Sequence, residues 1–171
     1  MQYLDAGNYC GVEPNRWLIQ DSLGFDEVAR VVREKRARFA YNEQFDGAEF
    51  GDQFDFVISH SILSHAAHWQ WLPFMRNVDK CLGPGGQILA SLHFTEGNPY
   101  GDAGYPGTEL DFDQWVYPGT SYFRKETIEQ LASQYGYCCV TNDWVPAMLI
   151  TSTHPAANHS WMILKRNEAE Y

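Results

Sequence analysis

Residues 54–94 read FDFVISHSILSHAAHWQWLPFMRNVDKCLGPGGQILASLHF, and the change of pattern inside this stretch decides the architecture. Gln53–Ser59 is a short apolar run and predicts a strand. His68–Leu82 puts Trp69, Leu72, Val78 and Leu82 on one face of a predicted helix, with Gly83 as its stop. Gly83-Pro84-Gly85-Gly86 then predicts a turn feeding a second strand, Gln87–Phe94.

The same alternation extends outward. Upstream, Tyr9–Glu13 predicts a strand closed by Pro14, which cannot donate to a ladder. Asn15–Arg36 carries Trp17, Leu18, Leu23, Val28, Val31 and Val32 at helical spacing, interrupted at Gly24, and predicts one or two helices. Ala37–Tyr41 predicts another strand, followed by a polar loop with Asp46, Gly47 and Gly51. Downstream, Lys125–Tyr135 predicts a helix stopped at Gly136, with strands at Tyr137–Trp144 and Ser160–Lys165. Strands alternating with helices imply an α/β fold: a mostly parallel sheet with helices on both faces, in a single domain spanning 1–171. Thr95–Tyr122 breaks the rhythm. It is long, rich in Gly, Pro, Asp and aromatics, and is read as an ordered, lid-like insertion (95–122).

Composition narrows the function classes. With 171 residues, 44% hydrophobic and 15% aromatic, the chain can bury one core. Twelve Lys and Arg against twenty-two Asp and Glu give a formal net charge of -10, which speaks against nucleic acid and anionic membrane surfaces as partners. Arg30, Arg33, Lys35, Arg36 and Arg38 cluster, but Glu27 and Glu34 interleave, as on a solvated helix face. No apolar run reaches the roughly 20 residues of a bilayer span, and the start lacks the pattern of a secretory leader, so a cytoplasmic location is expected. Cys10, Cys81, Cys138 and Cys139 show no zinc spacing and read as reduced thiols, with Cys138 and Cys139 in a buried strand.

Taken in order, strand-acid-helix, strand, FDFVISHSILSH, helix, LGPGGQILASLHF, helix, strand and final strand, the chain resembles a class I (Rossmann-like) S-adenosylmethionine-dependent methyltransferase from its second strand to its seventh. The resemblance implies a sheet ordered 3-2-1-4-5-7-6 in the family's numbering, with the last strand antiparallel. It also implies S-adenosylmethionine as cofactor and methyl transfer to a small-molecule acceptor. Glu13 matches the acid that accepts hydrogen bonds from the cofactor's ribose, chemistry that suits a carboxylate facing a vicinal diol; a solvent-exposed Glu at a turn is the alternative. Glu43, Phe45 and Asp46 match the loop that frames the adenine, where Phe45 either covers the ring or plugs the core beneath. Ser59 and His60 match the turn against the methionine end, at the carboxyl edge where such folds bind ligands. His65, His93, Trp115 and Tyr117 are the candidate acceptor-binding residues, Trp115 and Tyr117 covering that edge near His60 and His93. His60, His65 and His68 lack a carboxylate or cysteine at ligand spacing, so no metal is expected, while one of them could act as general base.

One departure accompanies the resemblance. The family's first strand and its G-x-G-x-G turn have no counterpart in the chain, and Gly85-Gly86 precedes a strand rather than opening a helix. The expectation is an N-terminally truncated methyltransferase fold missing its first strand, able to bind the cofactor if the missing motif is supplied. The strands on either side would then close on each other, pair with a second copy, or take a strand from another polypeptide. A homodimer formed through residues 3–39 is expected, and a non-catalytic binding or scaffold protein is the alternative to an enzyme.

Overall fold

The computed structural model describes residues 3–94, 121–141 and 160–167. Upstream lie β1 (Cys10–Val12), α1 (Arg16–Leu23), α2 (Asp26–Glu34) and β2 (Arg38–Ala40). The predicted helical stretch is thus two helices, broken where Gly24 caps the first. β1 and β2 pair in parallel, Gly11 opposite Phe39.

The main sheet begins with β3 (Phe54–Ser59), followed by α3 (Trp71–Cys81) and β4 (Leu82–Phe94). The two-residue β5 (Tyr122–Phe123), α4 (Lys125–Gln134), β6 (Tyr137–Thr141) and β7 (Ser160–Arg166) complete it. Its order is β3-β4-β7-β6, with β5 pairing in parallel with the end of β4 at His93 and Phe94. β3–β4 pairing is parallel, while β7 runs antiparallel to both β4 and β6. This order is the 4-5-7-6 half of the expected sheet, and β2-β1 supplies its 3-2 end. β1 pairs with β2 and β3 pairs with β4, so Gly11–Glu13 does not close onto Phe56–Ile58 to make one six-stranded sheet.

Register sorts the side chains. Val57, Ile88, Leu164 and Cys139 form a row facing the core, where Trp71, Phe74, Met75 and Val78 of α3 and Ile128 and Ala132 of α4 cover them. The opposite face carries the row Ile58, Leu89, Ile163 and Val140. That face is only partly covered: Phe56 is 59% and Ile58 67% exposed, and α1 and α2 bury no residue.

Three local readings change. His68–Gln70 is a separate 3-10 turn, so α3 starts at Trp71 in a shifted phase; its buried face is Trp71, Phe74, Met75, Val78 and Cys81, leaving Trp69 and Leu72 exposed. The helix ends in extended Leu82, which leads directly into β4 without a glycine stop. Gly83–Gly86 lies within β4 as a wide bulge: between the rungs Phe54↔Leu82 and Phe56↔Gln87, β3 advances two residues and β4 five. Cys138 and Cys139 sit in β6 as expected, but side chains alternate across a strand, so Cys138 is exposed and only Cys139 turns inward. Burial pushes the Cys139 thiol up to about 11.

Candidate functional site

Two groups of candidate residues sit at strand ends. In the first, Glu13 follows β1 directly, and its N–H donates to Ala40 O at 3.0 Å, extending the β1–β2 pairing by one bond. Its Oε1 accepts from Asn15 N at 2.8 Å, holding the turn that Pro14 introduces. The other oxygen, Oε2, makes no hydrogen bond with a described residue, so the carboxylate is oriented by one atom and open at the other. Beside it, the Arg16 guanidinium lies 4.3 Å from the centre of the Tyr41 ring, a cation–π contact joining the start of α1 to the loop that follows β2.

Asn42 organises the loop that contains Glu43, Phe45 and Asp46. Its Oδ1 accepts from Gln44 N at 3.1 Å and Asp46 N at 2.9 Å, and its Nδ2 donates to Asp46 O at 2.8 Å. Asp46 Oδ1 in turn accepts from Ala48 N at 2.9 Å, entering the 3-10 turn Ala48–Phe50. Asn77 of α3 ties the loop down through Gln44 O at 2.7 Å. Within this loop Glu43 is exposed. Phe45, at φ +57°, meets Phe74 edge-on with ring centroids 5.5 Å apart and packs against the core cluster.

The second group lies at the end of β3. Ser59 is buried and its Oγ has no hydrogen-bond partner among the described residues. His60 is exposed, and its imidazole lies on the indole of Trp161, centroids 5.3 Å apart and planes 2° from parallel. Ser61 adopts φ +57°, and its N–H donates to Ser91 Oγ at 2.7 Å. His65 closes the 3-10 turn Leu63–His65, half-buried. His93 is buried near the end of β4, in register with Tyr122. Ser59, His60 and His93 thus gather at the carboxyl edge of β3 and β4, while Glu13, Glu43 and Asp46 belong to the β1–β2 side. Trp115, Tyr117 and the segment 95–120 lie outside the described residues. No group of three or more His, Cys, Asp or Glu placed to hold a metal ion occurs among the described residues.

Sequence reasoning missed Ser91, Trp161, Arg16 and Asn42. Trp161 and His60 are a hundred positions apart, and β7 reads only as an alternating strand. Asn42 carried a usable signal, since Asn in a polar loop commonly bonds backbone two residues on.

A family profile described as a methyltransferase domain matches residues 1–142. The chain belongs to this methyltransferase family. Among solved structures, an O-methyltransferase family protein from Burkholderia thailandensis is similar at 13% identity and TM-score 0.57, covering 94% of this chain and 43% of its own. A putative O-methyltransferase from Nostoc punctiforme matches at 13% identity and TM-score 0.57, over 92% of this chain and 44% of its own. The methyltransferase domain of bacterial CtHen1-C matches at 11% identity and TM-score 0.57, over 93% and 77% respectively. At these identities the likeness is one of fold. This methyltransferase-family chain therefore spans less than half the length of the first two structures it resembles. A comparison with curated protein sequences gave no match.

Proposed function

We propose that the protein is an S-adenosylmethionine-dependent methyltransferase acting on a small-molecule acceptor. The observation that carries the reading is Glu13, whose carboxylate is fixed at the end of β1 by Asn15 N and keeps Oε2 for a ligand. Buried Ser59 Oγ, without a partner at the end of β3, is a second polar atom suited to a bound group. Both fit S-adenosylmethionine: Glu13 would accept from its ribose hydroxyls, and the Ser59–His60 turn would lie against its methionine end. When bound, the cofactor supplies an electrophilic methyl group on a sulfonium sulfur.

The protein's own contribution is alignment of the acceptor's nucleophilic atom, with no covalent intermediate on a side chain. His60, His65 or His68 would take the proton of an acidic acceptor hydroxyl. The acceptor would sit beneath the segment 95–122, whose Asp102, Glu109, Asp111, Asp113, Trp115 and Tyr117 suit a polar or ring-containing molecule. The net charge of -10 disfavours nucleic acid and anionic lipid as acceptors, and a cytoplasmic location suits a chain with four free-thiol cysteines and no described helix long and apolar enough to cross a membrane. A homodimer formed through residues 3–39 would shield the exposed Trp17, Phe25 and Val28 of the two upstream helices.

One sequence feature favours a second reading, a non-catalytic binding or scaffold protein: no G-x-G-x-G turn opens a helix anywhere in the 171 residues. Calorimetric titration with S-adenosylmethionine and S-adenosylhomocysteine separates the two. Saturable one-site binding supports the methyltransferase; no binding by the folded chain, either alone or joined to a glycine-rich turn ahead of β1, supports the scaffold.

A further inference from the structure

We propose that Ser91 and Trp161 are positioning residues that set the shape of the Ser59–His60–Ser61 turn, and thereby the orientation of His60 in the site; the role rests on the methyltransferase reading above. Ser61 stands at φ +57°, a backbone conformation that a residue bearing a Cβ keeps only when its surroundings hold it there. Ser91 provides the hold. It is fully buried on β4, and its Oγ accepts the Ser61 N–H at 2.7 Å. Directly opposite Ser91 in the antiparallel β4–β7 register stands Trp161, on whose indole the His60 ring lies flat.

Two neighbouring side chains therefore grip two consecutive residues of the turn, one by its backbone and the other by its ring. Nothing equivalent comes from Ser59, whose buried Oγ makes no hydrogen bond with a described residue. The turn is shaped from β4 and β7, elements outside its own chain segment, and neither Ser91 nor Trp161 needs to touch the ligand. Glycine adopts φ +57° freely, so a glycine at position 61 makes the hold by Ser91 dispensable. This separates positioning from general structural support.

The test combines NMR of the histidine Hε1 resonances with calorimetric titration of S-adenosylhomocysteine, on the full chain. His60→Gln assigns the His60 signal, which the stacked indole shifts upfield. Ser91→Ala and Trp161→Leu should each move that signal toward the position of an unstacked histidine. Ser91→Ala should also weaken S-adenosylhomocysteine about tenfold, the worth of one hydrogen bond. Trp161→Phe keeps a flat ring under His60 and should retain most of the shift. In the Ser61→Gly background, Ser91→Ala should leave both shift and affinity within about threefold of the parent, the relief expected when the strained residue no longer needs holding. An unmoved His60 signal in Ser91→Ala overturns the proposal, as does a moved signal with unchanged affinity. Loss of affinity that Ser61→Gly fails to rescue, alongside an equal fall in melting temperature, assigns Ser91 to general stability and also overturns it. A wild-type chain that shows the upfield signal yet binds no cofactor, either alone or joined to a glycine-rich turn ahead of β1, removes the methyltransferase reading, and the role with it.

Discussion

The Tyr137 hydroxyl donates a 2.8 Å hydrogen bond to Asp79 Oδ1, tying β6 to the last turn of α3. Arg166 of β7 closes the triangle, donating from Nε to the Tyr137 oxygen at 3.1 Å and from Nη2 to Asp79 Oδ1 at 3.0 Å. Nη2 also reaches the carbonyls of Asp79 at 2.9 Å and Leu82 at 3.2 Å, satisfying acceptors that the end of α3 leaves without helical partners. Burial, reinforced by the hydrogen bond to Asp79, pushes the Tyr137 phenol up to about 12.

The pH dependence follows from that shift. Below about pH 10 the folded and unfolded states both keep the phenol proton, and the contribution is fully present. Between about 10 and 12 the unfolded chain loses its proton first, so stability falls by an amount on the order of 3 kcal/mol. Tyr137→Phe is expected to cost about 1 kcal/mol at neutral pH and to flatten this alkaline fall. Urea unfolding at pH 7, 9 and 11 checks it; an equally steep fall in the variant would remove Tyr137 as its source.

Gly86 sits in the β4 bulge with no room for a side chain. A Cβ there would lie 2.7 Å from Leu82 Cγ and 2.9 Å from the Gly83 carbonyl oxygen, and Leu82 is itself buried. Gly86→Ala is therefore expected to destabilise by about 1 to 3 kcal/mol, the range for overpacking. Gly85 stands at φ +74° with open space around its Cβ position, so Gly85→Ala should cost only backbone strain, about 1 kcal/mol. Denaturant midpoints of the two variants, compared with the parent, test the order; a cheaper Gly86→Ala contradicts the bulge geometry.

The element order was legible because strands and helices carry their own periodicity, and β1, β2, β3, α4, β6 and β7 fall where the patterns put them. Phase was less legible. Apolar residues occupy both faces of 68–82, and only the 3-10 turn at His68–Gln70 sets which face α3 buries. Gly83–Gly86 announced a turn, and its geometry is one, but β4 pairs on both sides of it. Of the candidate site, the places of Glu13 and Ser59–His60 were read from the resemblance to class I methyltransferases rather than from a local pattern, and the chain sets them at the ends of β1 and β3. Asn15, which orients the Glu13 carboxylate from two residues away, is a local partner, whereas Ser91 and Trp161, which hold Ser61 and His60, come from tertiary contacts that no local pattern encodes.

Phe56 and Ile58 leave apolar surface on β3, an edge strand whose outer side pairs with no described strand. Such edges invite association unless a charge interrupts them. Ile58→Lys is expected to change stability by no more than about 0.5 kcal/mol, as for an exposed position, while reducing concentration-dependent association. Light scattering over a concentration series reads the difference. A parent mass fixed at the 19.6 kDa of one chain at every concentration would rule out both this association and the homodimer proposed through residues 3–39.

The carboxylate of Glu13 tests the central claim most directly. Calorimetric titration of S-adenosylhomocysteine into the parent chain and into Glu13→Ala should give one-site binding in both, weaker in the variant by about 1 to 3 kcal/mol, the cost of losing hydrogen bonds to a charged group. Tm should stay nearly constant, because the Glu13 carboxylate bonds only Asn15 N in an exposed turn and the variant keeps the backbone bond to Ala40. Identical affinities would take Glu13 out of the cofactor site, and no binding by the folded chain, either alone or joined to a glycine-rich turn ahead of β1, would contradict the methyltransferase account itself.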